Sequence, residues 1–94
     1  FKEGMIVSNE PGYYENGKFG IRIENLLTVK KSKKKLKFIN LTLAPIDKSL
    51  IIKEMLSKNE INWLNDYHYK VFNCLKKFMN KSELIDLKKS CSNI

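Results

Sequence analysis

The chain has 94 residues, 43% hydrophobic and 30% charged, enough for one small soluble domain and too few for a deep, self-sufficient active site. No apolar run approaches the roughly 18–20 residues that cross a bilayer, so no membrane contact is expected, and neither is a secretory signal; with two cysteines read as reduced thiols, a cytoplasmic location is expected. The formal charge of +8 comes from 18 basic against 10 acidic residues, and Arg22 is the one arginine. Nucleic-acid readers lean on arginine for bidentate and stacking contacts, so this lysine-dominated charge argues against a nucleic-acid partner.

The chain opens at Phe1 on the run-in to a strand rather than on a translation start, which raises the expectation of a truncated N-terminus. From Met5 to about Ala44 the text reads as strands. Met5-Ile6-Val7 is apolar and partly β-branched, Glu10-Pro11-Gly12 and Asn16-Gly17 carry turn chemistry, and Phe19 to Val29 alternates or runs apolar. Lys30-Lys31-Ser32-Lys33-Lys34-Lys35-Leu36-Lys37 reads as a solvated hairpin tip, a strand returns from Leu36 to Leu43, and Pro45 ends it. Ser57-Lys58-Asn59-Glu60 is a capping box that predicts a helix over 59–80. Its apolar stripe is Ile61, Leu64, His68, Val71, Leu75 and Phe78, and His68 on that stripe is expected to be structural. A short second helix is predicted from about Ser82 to Lys89. Cys74 falls among apolar residues and Cys91 near a frayed end, so both read as reduced thiols without metal spacing.

Two carboxylates stand out. If the first hairpin is centred on Gly17, residues whose numbers add to 34 face one another, which sets Glu10 against Glu24. Like charges directly opposite are destabilising, so the pair calls for a cation between them, a shared proton, or a register slip. Arg22 shares a face with Glu24, while Ile21 and Ile23 point the other way. An exposed edge with a local Arg22–Glu24 pair is the competing reading.

The text from Ser8 to Asn25, with Glu10-Pro11-Gly12-Tyr13-Tyr14 and Gly20-Ile21-Arg22-Ile23-Glu24-Asn25 in order, resembles the C-terminal signature of the pita-bread metallopeptidases of the Xaa-Pro aminopeptidase type. Leu41-Thr42-Leu43-Ala44-Pro45-Ile46-Asp47 and Glu60-Ile61-Asn62-Trp63-Leu64-Asn65-Asp66-Tyr67-His68 resemble the C-terminal extension of the long form of that enzyme. The resemblance implies an α+β fragment of a pita-bread fold, with antiparallel hairpins followed by a long capped helix and a short one. Residues 1–45 would be closing strands of the catalytic domain and 46–94 the helical extension. It also implies a dinuclear site of two divalent ions, Mn(II) foremost with Co or Zn as alternatives, in which Glu10 ligates one metal and Glu24 bridges both. Arg22 would orient the carboxylates, and Tyr13 and Tyr14 would pack beside the substrate site. The other three ligands of the family's five lie upstream of the region matched here, so the isolated chain is expected to be inactive. Expected partners are peptides with proline second, the missing N-terminal portion of the enzyme, and a second copy when intact. The alternative is a non-catalytic basic interaction module built on the lysine hairpin.

Overall fold

A computed structural model describes all residues, 1–94, and divides them into two compact units, Phe1–Thr42 and Leu43–Ile94. The first unit is all strand. Strands β1 (Ile6–Asn9), β4 (Asn25–Ser32) and β5 (Lys35–Asn40) form an antiparallel sheet in the order β1-β4-β5, and β2 (Gly12–Glu15) pairs with β3 (Phe19–Arg22) in a separate hairpin.

Both pairings obey one register. Asn9 faces Asn25 on β1–β4 and Gly12 faces Arg22 on β2–β3, each pair of numbers adding to 34. The turn at Asn16-Gly17 sets it, with Gly17 at φ 69°, a left-handed conformation that glycine adopts without steric cost. The sheets are split by the lost ladder between Asn9 and Gly12, where Pro11 has no N–H to donate. The single apolar stretch expected from Phe19 to Val29 is therefore two strands, β3 and β4, interrupted at Ile23 and Glu24.

Between β4 and β5 the chain reverses through Lys33-Lys34, with Lys33 at φ 54°. Lys30 lies directly opposite Lys37. Val29 is the buried residue of this unit, and its face of the sheet carries the edge-to-face pair Phe1–Phe38, with ring centroids 5.2 Å apart.

The second unit is helical. Helix α1 spans Lys58–Leu75 and α2 spans Lys81–Ser90. Ser57 caps α1 as the sequence predicts: its Oγ accepts from the Glu60 N–H at 3.3 Å, and its own N–H donates to Glu60 Oε2 at 2.7 Å. The predicted helix over 59–80 stops sooner. After Leu75 the backbone tightens into a 3₁₀ turn over Lys76–Phe78, and Asn80 opens α2 with a capping box of its own, bonding reciprocally to Glu83 at 3.0 and 2.8 Å. Phe78 is correspondingly 70% exposed rather than part of the stripe.

The core is Tyr67, Val71, Leu87 and Cys91, flanked by Ile46, Phe72, Leu75 and Met79. Cys91 is thus buried rather than frayed, and burial pushes its thiol up from its ordinary value. His68 is fully buried. Its Nε2 accepts the Ile46 N–H at 3.0 Å, while the neighbouring Tyr67 hydroxyl donates to the Ala44 carbonyl at 2.7 Å. Together these two bonds hold the segment after the strands against α1. Lys48 in that segment donates to the Lys89 carbonyl at 3.3 Å, to the Ser92 carbonyl at 2.5 Å and to Ser92 Oγ at 2.6 Å, satisfying carbonyls at and just beyond the end of α2.

Candidate metal centre

The register places the two glutamates. Ile23 N–H donates to the Pro11 carbonyl at 3.1 Å and Val29 N–H to the Met5 carbonyl at 2.9 Å, so the odd-numbered rungs are the hydrogen-bonded ones. Glu10 and Glu24 occupy the even rung between Asn9–Asn25 and Pro11–Ile23, a non-hydrogen-bonded position where facing side chains come closest in an antiparallel ladder. Both are exposed.

Successive rungs alternate faces, so the glutamates share theirs with Gly12–Arg22 and Tyr14–Gly20. Arg22 Nε sits 3.2 Å from Glu24 Oε2. Its guanidinium is held above the ordinary arginine value by a side-chain hydrogen bond with Tyr14, and then by the charges of Glu24 and Glu10. One cation therefore feels both carboxylates and a phenol. Tyr14 reaches it because nothing stands in the way: a Cβ on Gly12 would lie 2.7 Å from the Tyr14 hydroxyl oxygen, and one on Gly20 would lie 2.5 Å from Tyr14 Cδ1. The ring lies flat across both glycines.

The two tyrosines part company. Tyr13 is paired with Ile21 on the opposite face, where its hydroxyl donates to Glu15 Oε1 at 2.8 Å. That bond raises the Tyr13 pKa and, with Lys18 at 3.0 Å, lowers that of Glu15. Ile21, Ile23 and Phe19 complete an exposed apolar back to the hairpin. The structure thus brings together Glu10, Glu24, Arg22 and Tyr14, and leaves Tyr13 outside the group.

As donors, two carboxylates suit hard divalent cations, and Arg22 beside them is the kind of neighbour that orients ligand oxygens. No group of three or more His, Cys, Asp or Glu side chains comes together anywhere in the chain. Glu10 and Glu24 therefore fit part of a metal-binding set rather than a whole one. His68, in the other unit, has Nε2 engaged by backbone and Nδ1 buried without a partner.

Residues 34–94 match the family model described as the C-terminal region of peptidase M24, and residues 1–31 match the model for metallopeptidase family M24. Aminopeptidase P1 of Arabidopsis thaliana is 44% identical over 94 residues, covering 92% of this chain and 15% of its own length. Xaa-Pro aminopeptidase 1 of Dictyostelium discoideum is 49% identical over 74 residues, covering 72% of this chain and 12% of its own length. The crystal structure of X-prolyl aminopeptidase from Caenorhabditis elegans, described as a cytosolic enzyme with a di-nuclear active site, superposes with a TM-score of 0.85 at 36% identity, over 100% of this chain and 17% of that one. The chain therefore spans only 12–17% of the length of these proteins.

Proposed function

Since this chain belongs to the M24 metallopeptidase family and corresponds to the C-terminal part of aminopeptidase P, we propose that it supplies two metal-binding carboxylates to a dinuclear Xaa-Pro aminopeptidase. The reaction is hydrolysis of the bond between an N-terminal residue and a following proline. Glu10 and Glu24 would hold the metal, Glu24 as the bridging ligand. A pair of divalent ions bound there, Mn(II) foremost, would supply Lewis acidity and an acidified water. Arg22 offsets the charge of the facing glutamates and fixes the Glu24 carboxylate, and Tyr14 steadies Arg22 from across the hairpin.

Residues 1–45 act as closing strands of the catalytic domain and 46–94 as its helical extension. The remaining ligands come from the N-terminal portion of the enzyme, the intact protein works as a homodimer in the cytoplasm, and its substrates are peptides with proline second. The observation that carries this reading is the facing pair Glu10–Glu24 on a non-hydrogen-bonded rung with Arg22 against it. Without the upstream ligands, the chain binds Mn(II) only above about millimolar and is inactive, because two carboxylates cannot hold two ions and exclude water around them.

Mixing the chain with the upstream catalytic portion and assaying Arg-Pro-Pro tests the proposal. Proline-directed cleavage appears on mixing and is abolished by Glu24→Ala. Cleavage that survives Glu24→Ala refutes the bridging role.

A further inference from the structure

The glutamates sit where the ladder is weakest. Their own rung exchanges no backbone hydrogen bonds, and the next, Pro11–Ile23, has one bond in place of two because proline has no donor. Glu10 and Glu24 must be placed from their flanks. On one flank stands the hairpin with Tyr14 lying against Arg22. On the other flank is the rung Asn9–Asn25, whose two residues adjoin the two glutamates directly.

That second flank is tied down by side chains. Asn25 Nδ2 donates to Asn40 Oδ1 at 2.7 Å, across from β4 to the end of β5, and both residues are half-buried. Asn40 Nδ2 passes the link on to the Thr42 carbonyl at 2.6 Å. Beyond β5 the strands still exchange two bonds, but one donor is diverted. Leu41 N–H donates to the Leu26 carbonyl at 2.8 Å, while Leu26 N–H donates to Thr42 Oγ1, also at 2.8 Å. A hydroxyl and two amides thereby extend the β4–β5 pairing to residue 25, immediately after Glu24.

We propose that Asn25, Asn40 and Thr42 are positioning residues for Glu24: a polar clasp that holds β4 at the metal-binding rung and so fixes the spacing of the two carboxylates. The inference rests on the reading of Glu10 and Glu24 as ligands, but not on any ligand upstream. Asn40 and Thr42 touch neither carboxylate. They act through the Asn25 side chain and the Leu26 N–H, because a strand fixed one residue away from Glu24 cannot swing its carboxylate away from Glu10.

The test uses the ¹⁵N-labelled 94-residue chain with Mn²⁺ alone as probe, following paramagnetic broadening of backbone amides and hydrogen exchange at Leu26. In the wild type, broadening concentrates on residues 9–12 and 22–25. Thr42→Val, which keeps the Asn25–Asn40 bond and the side-chain volume, speeds Leu26 exchange by about tenfold, the effect of losing one hydrogen bond. With it, the Mn²⁺ concentration for half-maximal broadening rises several-fold. Asn40→Ala does the same, and Thr42→Ser restores both readings. Glu24→Gln abolishes the broadening and leaves Leu26 exchange unchanged.

Faster Leu26 exchange with unchanged Mn²⁺ affinity overturns the positioning role and leaves the clasp purely structural. Unchanged exchange overturns the clasp itself. Broadening in the wild type that centres away from both glutamates removes the ligand reading, and the positioning role falls with it.

Discussion

Gly12 and Gly20 show how much of a site can depend on atoms that are missing. Tyr14 lies flat because neither glycine offers a Cβ, and at that angle it reaches Arg22. Gly20→Ala is expected to lift the ring and release Arg22, lowering activity in the reconstituted enzyme by about ten- to a hundredfold, the usual cost of removing a group that orients a metal ligand. Loss of the upfield shift of the Gly20 Hα protons under the ring gives an independent check. His68 makes the second argument at this scale. Burial, and then the Lys48 charge, holds its pKa below the ordinary 6.5. The fold therefore favours the neutral ring. Its stabilising contribution is complete above about pH 6.5 and is lost as the pH falls through the folded value, because a protonated Nε2 cannot accept the Ile46 N–H. Thermal unfolding of the chain should show a falling midpoint between pH 7.5 and 5, and His68→Gln, which keeps an acceptor and cannot titrate, should flatten that part of the profile. The sequence already carried His68 on an apolar stripe. It could not show which backbone donor the ring would meet, since Ile46 lies 22 residues away.

Among the elements, the β4–β5 hairpin is the most frustrated. Lys33 is a non-glycine residue at φ 54° in a two-residue turn, a position that asparagine or glycine occupies with less strain, and Lys30 faces Lys37 across the ladder. Neither lysine has an ion-pair partner. Lys37→Glu is expected to raise stability by about 0.2–1 kcal/mol by turning a repulsive rung into an attractive one. Lys33→Gly should add a similar increment, both seen as a higher midpoint in urea. The helices show what local text can and cannot convey. Ser57 and Glu60 were legible as a cap because both halves of the box lie within four residues of sequence. Asn80 and Glu83 spell the same box, but the apolar stripe runs on through Phe78 and masks it, so the predicted helix overshoots. The facing glutamates were legible for a similar reason: one turn at Gly17 fixes the register of everything either side of it. The Asn25–Asn40–Thr42 clasp was not, because it depends on how a second hairpin is registered against the first.

At the scale of the whole molecule, each unit presents apolar surface in excess of what it covers. Phe19, Ile21 and Ile23 are 44–51% exposed on the back of the glutamate hairpin, and Trp63, Phe78 and Ile85 are 58–70% exposed in the helical unit. Patches of this kind mark surfaces that ordinarily meet another part of a protein. The outer edges of the β1-β4-β5 sheet add unpaired backbone donors and acceptors. Alone at high concentration, the chain is expected to self-associate. Sedimentation velocity should show concentration-dependent self-association above the 11.0 kDa monomer, replaced by a mixed complex when the upstream catalytic portion is added in equimolar amount. A strict monomer under all conditions would count against these faces being interfaces.

Trp63 is the only tryptophan, and its indole stacks on Tyr67 with ring centroids 5.6 Å apart and planes 10° from parallel. Because Tyr67 also grips Ala44 and adjoins His68, the ring pair sits where the incoming segment, the first helix and the titrating imidazole converge. The chain thus carries its own optical probe. A change in indole emission reports on the helical unit, so that unit's melting, and its response to acid, can be followed by fluorescence without labelling, while the glutamate hairpin contains no tryptophan.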